Sequence, residues 1–264
     1  NPDWFCQKLD VTQTRRDAPG ENGEPVLTEG DIQAEREEGM AEELIQQEYY
    51  CSFEGPTEGY YYRKNLAILE NEGRITTVPW EPARRVETGW DIGVGDSTAI
   101  WFVQEIGRRL NVIDYYEATG EGVDHYAKVL HEKPYVYAKH FGPHDVRNRE
   151  WGSNGKSRHD QAKTLGIDFK ILPQMPVDDG IAAVRKIFPR FWFDKIKCKR
   201  LLHAMRNYRK EYDDKKKVFR DTPLHDWTSH CADAGRTFAM GHKDAPEFKR
   251  APVEVQIGDE AVGY

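Results

Sequence analysis

Three aspartates stand where a carboxylate is costly unless something compensates it. Asp91 sits at the end of the run Gly89-Trp90-Asp91-Ile92-Gly93, an otherwise apolar strand bracketed by glycines. A charge buried there demands a cation or a polar partner. Asp145 closes Gly142-Pro143-His144-Asp145 after an aromatic, β-branched run, and Asp233 lies between Ala232 and Ala234, small residues that let a helix approach a sheet closely. Taken singly, each aspartate reads as a strand end or a helix cap. As a set of hard oxygen donors, they fit a divalent-metal site. Two such ions about 4 Å apart can bind the attacking and leaving oxygens of a phosphodiester together, so the chemistry indicated is phosphoryl transfer.

The elements that must position these groups are those of a mixed α/β sheet. Runs at 86–93, 99–106 and 110–116 are β-branched and aromatic, and Gly107-Arg108-Arg109 joins the last two as a hairpin. A helix is expected at 123–132, a strand at 135–141, a helix at 159–165 stopped by Gly166, and a fifth strand at 168–172. Helices follow at 178–193 and 197–208, then a short strand pair around 213–219. A last helix runs from Ser229 to about Met240, with Asp233 in its first turn. Earlier in the chain, Thr28-Glu29-Gly30-Asp31 can cap a helix reaching about Tyr49, and a short helix fits 65–71 before Gly73. Five strands alternating with helices give one α/β core over residues 61–243. Residues 1–60 read as a polar lead-in and 244–264 as a flexible tail.

Composition narrows the class. The chain has 264 residues with ordinary glycine and proline content, no collagen or heptad period, and no apolar run near the roughly 18 residues a membrane span requires. Cys6, Cys51, Cys198 and Cys231 are scattered, which suits a reducing, intracellular setting. The net charge of -7 conceals an uneven distribution. Residues 1–60 hold four basic and fifteen acidic side chains, whereas 185–220 hold fourteen basic and four acidic. That basic stretch is either a solvated helix face or a polyanion contact.

Several segments resemble the nuclease domain of tailed-bacteriophage large terminases: Gly89-Trp90-Asp91-Ile92-Gly93 with Ser97-Thr98-Ala99, then Pro143-His144-Asp145, then Leu224-His225-Asp226-Trp227-Thr228-Ser229-His230-Cys231-Ala232-Asp233-Ala234. Gln47 to Phe53, Asp114 to Glu117 and Tyr208 to Asp213 fall in the same order, so the similarity spans about Glu48 to Met240. The resemblance implies a ribonuclease H-like fold with a five-stranded mixed sheet, and a metal-dependent endonuclease that cuts concatemeric double-stranded viral DNA during packaging with little sequence preference. By position Asp91, Asp145 and Asp233 match the family's acidic triad. Asp91 would be shared by two Mg2+ or Mn2+ ions, with Asp145 and Asp233 completing one each. Asp96, Asp226, His144 and His230 are second-layer candidates. Lys199, Arg200, Arg206, Arg209, Lys215, Lys216 and Lys217 precede the third motif and are candidate phosphate contacts; the strand pair holding the last three could be a mobile flap.

The resemblance further implies a portal protein and a terminase small subunit as partners, a monomeric isolated domain, no membrane, and the host cytoplasm as location. Large terminases carry an ATPase motor, and residues 1–60 would be its end and the linker. Gly155-Lys156-Ser157 is not a P-loop, because Glu150 stands where the first glycine is needed. Cys198, His203, His225 and His230 lack the spacing of a zinc module. Two alternatives remain: another ribonuclease H-like transferase such as a transposase or integrase, and a non-catalytic DNA-binding or portal-docking module.

Overall fold

The computed structural model describes residues 10–14, 23, 25–38, 40, 45, 49–50, 59–93, 96–148, 157–213, 216 and 218–242. Its centre is an antiparallel meander of Val86–Asp91 (β2), Ser97–Ile106 (β3) and Arg109–Thr119 (β4). β3 turns into β4 through Gly107, whose φ of 61° is left-handed, a conformation that costs glycine nothing. β3 is buried on both faces, with Ala99, Trp101 and Val103 packed on one side and Ile100 and Phe102 on the other. Parallel strands extend both edges. Tyr137–Gly142 (β5) pairs with β2 and Phe169–Ile171 (β6) with β5; Phe191–Asp194 (β7) pairs with β4, and the two-residue strand Ile75–Thr76 (β1) with β7. The sheet order is β1-β7-β4-β3-β2-β5-β6.

Helices cover both faces. On one side lie Arg63–Asn71 (α2), Val177–Ile187 (α5), Lys199–Asn207 (α6) and Ser229–Gly241 (α7), sharing a core of Leu66, Val184, Leu201, Phe238 and the inward residues of β3, β4 and β7. Val123–Glu132 (α3) and Arg158–Thr164 (α4) cover the other through Tyr126, Leu130 and Ala162. Glu29–Glu37 (α1), capped by Thr28 and Asp31, packs Ile32 with Val11 and Ile45 in a separate small cluster. Lys210–Asp213 (β8) and Val218–Pro223 (β9) form a two-stranded ribbon.

The sheet has seven strands, two beyond the five expected. The helix expected over 178–193 ends at Ile187, because Pro189 has no N–H to continue the ladder. The chain then re-enters the sheet as β7, with Phe191 and Phe193 fully buried. β1 is too short to show a period and exists only by pairing with β7. The helix expected to reach Tyr49 ends at Glu37 with Glu38 as its cap; most of 39–48 lies outside the described residues, as do Cys6, Cys51, Gly155, Lys156 and the tail 244–264. Ser157 is described, and it caps α4, its Oγ accepting from the Asp160 N–H at 3.1 Å. Cys198 and Cys231 are buried free thiols. Among the described residues no helix is long and apolar enough to cross a membrane.

Candidate metal centre

Two neighbouring strands and one helix build the site. β2 and β5 run parallel, with Gly89 opposite Phe141, so their C-terminal ends open on the same edge. β2 ends on Asp91. β5 ends on Gly142, and Pro143 turns the chain into the single 3₁₀ turn His144–Arg147 that carries Asp145. α7 lies against β2 because Gly89 has no side chain: a Cβ there would collide with Phe238 and come within 2.6 Å of the Ala234 carbonyl oxygen. That approach brings Asp233 to the same edge. It lies in the second turn of α7, not the first, since the helix starts at Ser229.

Asp91, Asp145 and Asp233 thus share one open cleft of about 310 Å³, with His144, Arg236 and the loop from Leu172 to Pro176 on its walls. The electrostatics are strained towards the neutral form. Burial, with the neighbouring Asp233 and Asp145 charges, pushes the Asp91 carboxyl up to about 6 even though a hydrogen bond from His230 opposes the shift. Burial also raises Asp233, against the attraction of Arg236. Asp145 Oδ1 is buried with no hydrogen-bond partner, a position in which an acceptor normally costs about 1–3 kcal/mol.

The existing counter-charges are protein cations. His230 Nδ1 lies 3.0 Å from Asp91 Oδ2 and its Nε2 3.1 Å from Asp96 Oδ1, and the bond to Asp91 raises the imidazole above its ordinary range. Arg236 donates to Asp233 Oδ1 at 2.5 Å. Gly180 leaves the space this arginine occupies, since a Cβ there would meet Arg236 Cδ at 2.9 Å. Arg236 is the member the sequence reading missed, and its only signal was its place three residues after Asp233, on the same helix face. With these side chains engaged, no group of three or more His, Cys, Asp and Glu among the described residues is already drawn tight enough to hold an ion. The donor chemistry nevertheless fits one: three carboxylates, one with a bare buried oxygen, and a local deficit of positive charge.

The other expected residues divide. His144 lines the cleft and Asp96 reaches it through His230. Asp226 does not: its Oδ1 accepts from the Thr228 N–H at 2.8 Å and hydroxyl at 2.5 Å, which shapes the turn into α7. Of the basic set, Arg200 is engaged by Glu117 and lies over Trp227, and Arg206 pairs with Glu70 at 3.0 Å. Lys199 is exposed at the start of α6, Arg209 is half-buried beside the ribbon, and Lys216 is exposed; Lys215 and Lys217 lie outside the described residues.

No family model matches the sequence, and no curated protein matches it. Solved structures do. The large terminase from a thermophilic bacteriophage superposes with a TM-score of 0.52 in one crystal form, at 17% identity over 82% of this chain and 52% of that one. A second crystal form of the same terminase gives a TM-score of 0.51, at 17% identity, over 82% and 53%. The large terminase nuclease domain of P22 aligns over 64% of this chain and 88% of its own, at 18% identity and a TM-score of 0.46. The chain spans about half the length of the thermophilic phage's protein. At such identities the likeness is one of fold, and that fold is a ribonuclease H-like α/β fold held in common with a phage large terminase.

Proposed function

We propose that this chain is the nuclease part of a phage large terminase and hydrolyses phosphodiesters of double-stranded viral DNA with the help of two divalent ions, Mg2+ or Mn2+. The observation that carries the reading is the convergence of Asp91, Asp145 and Asp233 on one cleft that is short of positive charge. The likeness of fold to the thermophilic phage's large terminase supports it. A carboxylate set that costs stability where it stands is what a site kept for function looks like.

Asp91, whose carboxyl feels the charges of both Asp233 and Asp145, would be shared between the ions, with Asp145 holding one and Asp233 the other. What the ions supply when bound is neutralisation of the charge that builds on the scissile phosphate and acidification of the attacking water. The protein's own part is positioning. His230, gripped between Asp91 and Asp96, fixes the Asp91 rotamer. Arg236 holds Asp233 in the cleft, and His144 stands on the wall where a phosphate oxygen would pass. Residues 1–60 as linker, with the portal and the small subunit as partners, belong to the same proposal.

The test is cleavage of supercoiled plasmid by the purified chain with Mn2+, Mg2+ or EDTA, beside Asp91→Ala. Metal-dependent nicking and linearisation that the variant lacks is the expected result. A folded chain that binds DNA but cuts with neither metal would favour the docking-module reading. Strand joining in place of hydrolysis would favour a transposase-like enzyme.

A further inference from the structure

The turn leading into α7 holds an aromatic side chain out to solvent. Trp227 is 38% exposed and belongs to none of the core clusters. It stacks on His203, with ring centroids 5.0 Å apart and planes at 21°, and the Arg200 guanidinium lies 4.2 Å from its centroid. Arg200 and His203 are three residues apart on α6 and share one helix face, and the indole beside them keeps more than a third of its surface open to solvent. The turn is stiff. Besides the Asp226 bonds to Thr228, Ser229 Oγ donates to the Leu224 carbonyl at 3.3 Å and accepts from the Asp226 N–H at 3.1 Å.

The turn that carries this indole reaches towards the carboxylate cleft. Two residues before Trp227, the exposed His225 ring is 5.9 Å from that of His230, which bonds to Asp91. Beside the indole, the Arg200 guanidinium, its charge met by Glu117 at 3.1 Å, lies over the ring. A duplex offers phosphates and base edges to a surface, whereas a flat aromatic face backed by a cation is matched by the face of an unpaired base.

We infer that Trp227, backed by Arg200 and His203, is a stacking platform for an unpaired base of the DNA strand whose backbone enters the Asp91 cleft. This rests on the DNA-cutting reading above and adds to it that the strand is locally unpaired beside the cleft. Core packing does not account for Trp227, and Arg200, its charge met by Glu117, contributes to the platform through its place over the ring.

The test is fluorescence anisotropy of the full chain in EDTA with labelled oligothymidine and with a labelled blunt duplex of equal length. Wild type is compared with Trp227→Ala, Trp227→Leu and Trp227→Phe, with thermal midpoints measured alongside. Trp227→Leu keeps apolar bulk over α6 and removes the aromatic face, so it reports on stacking even if the alanine variant is unstable. The expected result is about a tenfold loss of oligothymidine binding in Trp227→Leu, with most of it retained in Trp227→Phe and duplex binding changed by less than about twofold. Equal losses on both DNAs, no loss on either, or a wild type that binds only duplex would overturn the platform and leave the nuclease reading standing. A wild type that binds neither DNA would overturn both.

Discussion

The two faces of β2 handle buried polarity in opposite ways. On the side covered by α3 and α4, Trp90 Nε1 donates to Thr88 Oγ1 at 2.7 Å, and the Thr88 hydroxyl contacts His140 Nδ1 at 2.7 Å. Thr88 Oγ1, accepting from Trp90, keeps a proton that a neutral His140 can accept at Nδ1. Burial holds this imidazole down at about 4. On the side covered by α7, Gly89 packs against the helix and Asp91 faces a cleft where one carboxylate oxygen has no partner and a second carboxyl is pushed up. A closed relay stabilises, while an open anionic cluster costs stability unless a cation arrives. Within one strand, the first pattern marks structure and the second marks the proposed site.

Breaking the open side should have the largest effect. Asp91→Asn is expected to lower metal-dependent cutting by more than about 10²-fold, beyond the loss typical of outer-layer metal partners. The same change should raise stability by about 1 kcal/mol in EDTA, since a destabilised carboxylate is removed. Thermal scans check this: Mn2+ should raise the wild-type midpoint and leave that of Asp91→Asn unmoved. A variant less stable than wild type in EDTA would mean that His230 and Asp91 form a net stabilising pair and that the cleft is not strained.

Gly89→Ala attacks the approach of α7 instead of the charge. The added methyl meets backbone of α7, which cannot rotate away, so a loss near the upper end of the usual range of about 1–3 kcal/mol for overpacking is expected in urea denaturation. A neutral outcome would mean that Asp233 does not depend on this contact for its place.

The closed side is sharpened by pH. His140 is a base whose folded pKa, about 4, lies below its unfolded value near 6.5, so the unfolded chain binds the extra proton first. Its contribution is complete above about pH 6.5 and is lost as pH falls towards 4, to a limit of about 3 kcal/mol. His140→Gln should flatten that part of the stability profile. An unchanged slope would assign the acid sensitivity to other groups.

The smallest effect belongs to a charge satisfied at the surface. Arg206 pairs with Glu70, both partly exposed, and Arg206→Ala should cost less than about 1 kcal/mol and change DNA affinity less than Lys199→Ala does. Filter binding at low salt separates the two. A larger loss at Arg206 would mean that its ion pair opens for DNA.

How far the chain could be read in advance varied with the kind of signal. The meander, the hairpin at Gly107 and α3 were legible, because β-branched and aromatic runs, a turn glycine and an amphipathic repeat are local properties. β7 was not, since Phe191-Trp192-Phe193 continues an apolar helix pattern until Pro189 is weighed. Asp226 looked like a helper to the triad because it is close in sequence to Asp233, yet its carboxylate is spent on its own turn. Arg200 and Arg206 looked free because their acidic partners are distant in the chain.

Residue type and order were enough to mark three aspartates at the edges of core elements, the mixed α/β layout, and the basic approach to the last helix. These follow from short-range preferences and from the cost of a carboxylate in an apolar run. Whether the aspartates meet, which cations hold them, and which basic side chains stay unpaired depended on long-range packing. The missing side chain at Gly89 sets how close α7 comes, the parallel pairing of β2 with β5 brings Asp145 beside Asp91, and Gly180 opens the space for Arg236. Charge and burial act through distance in space, and the chain acquires those distances only when it folds.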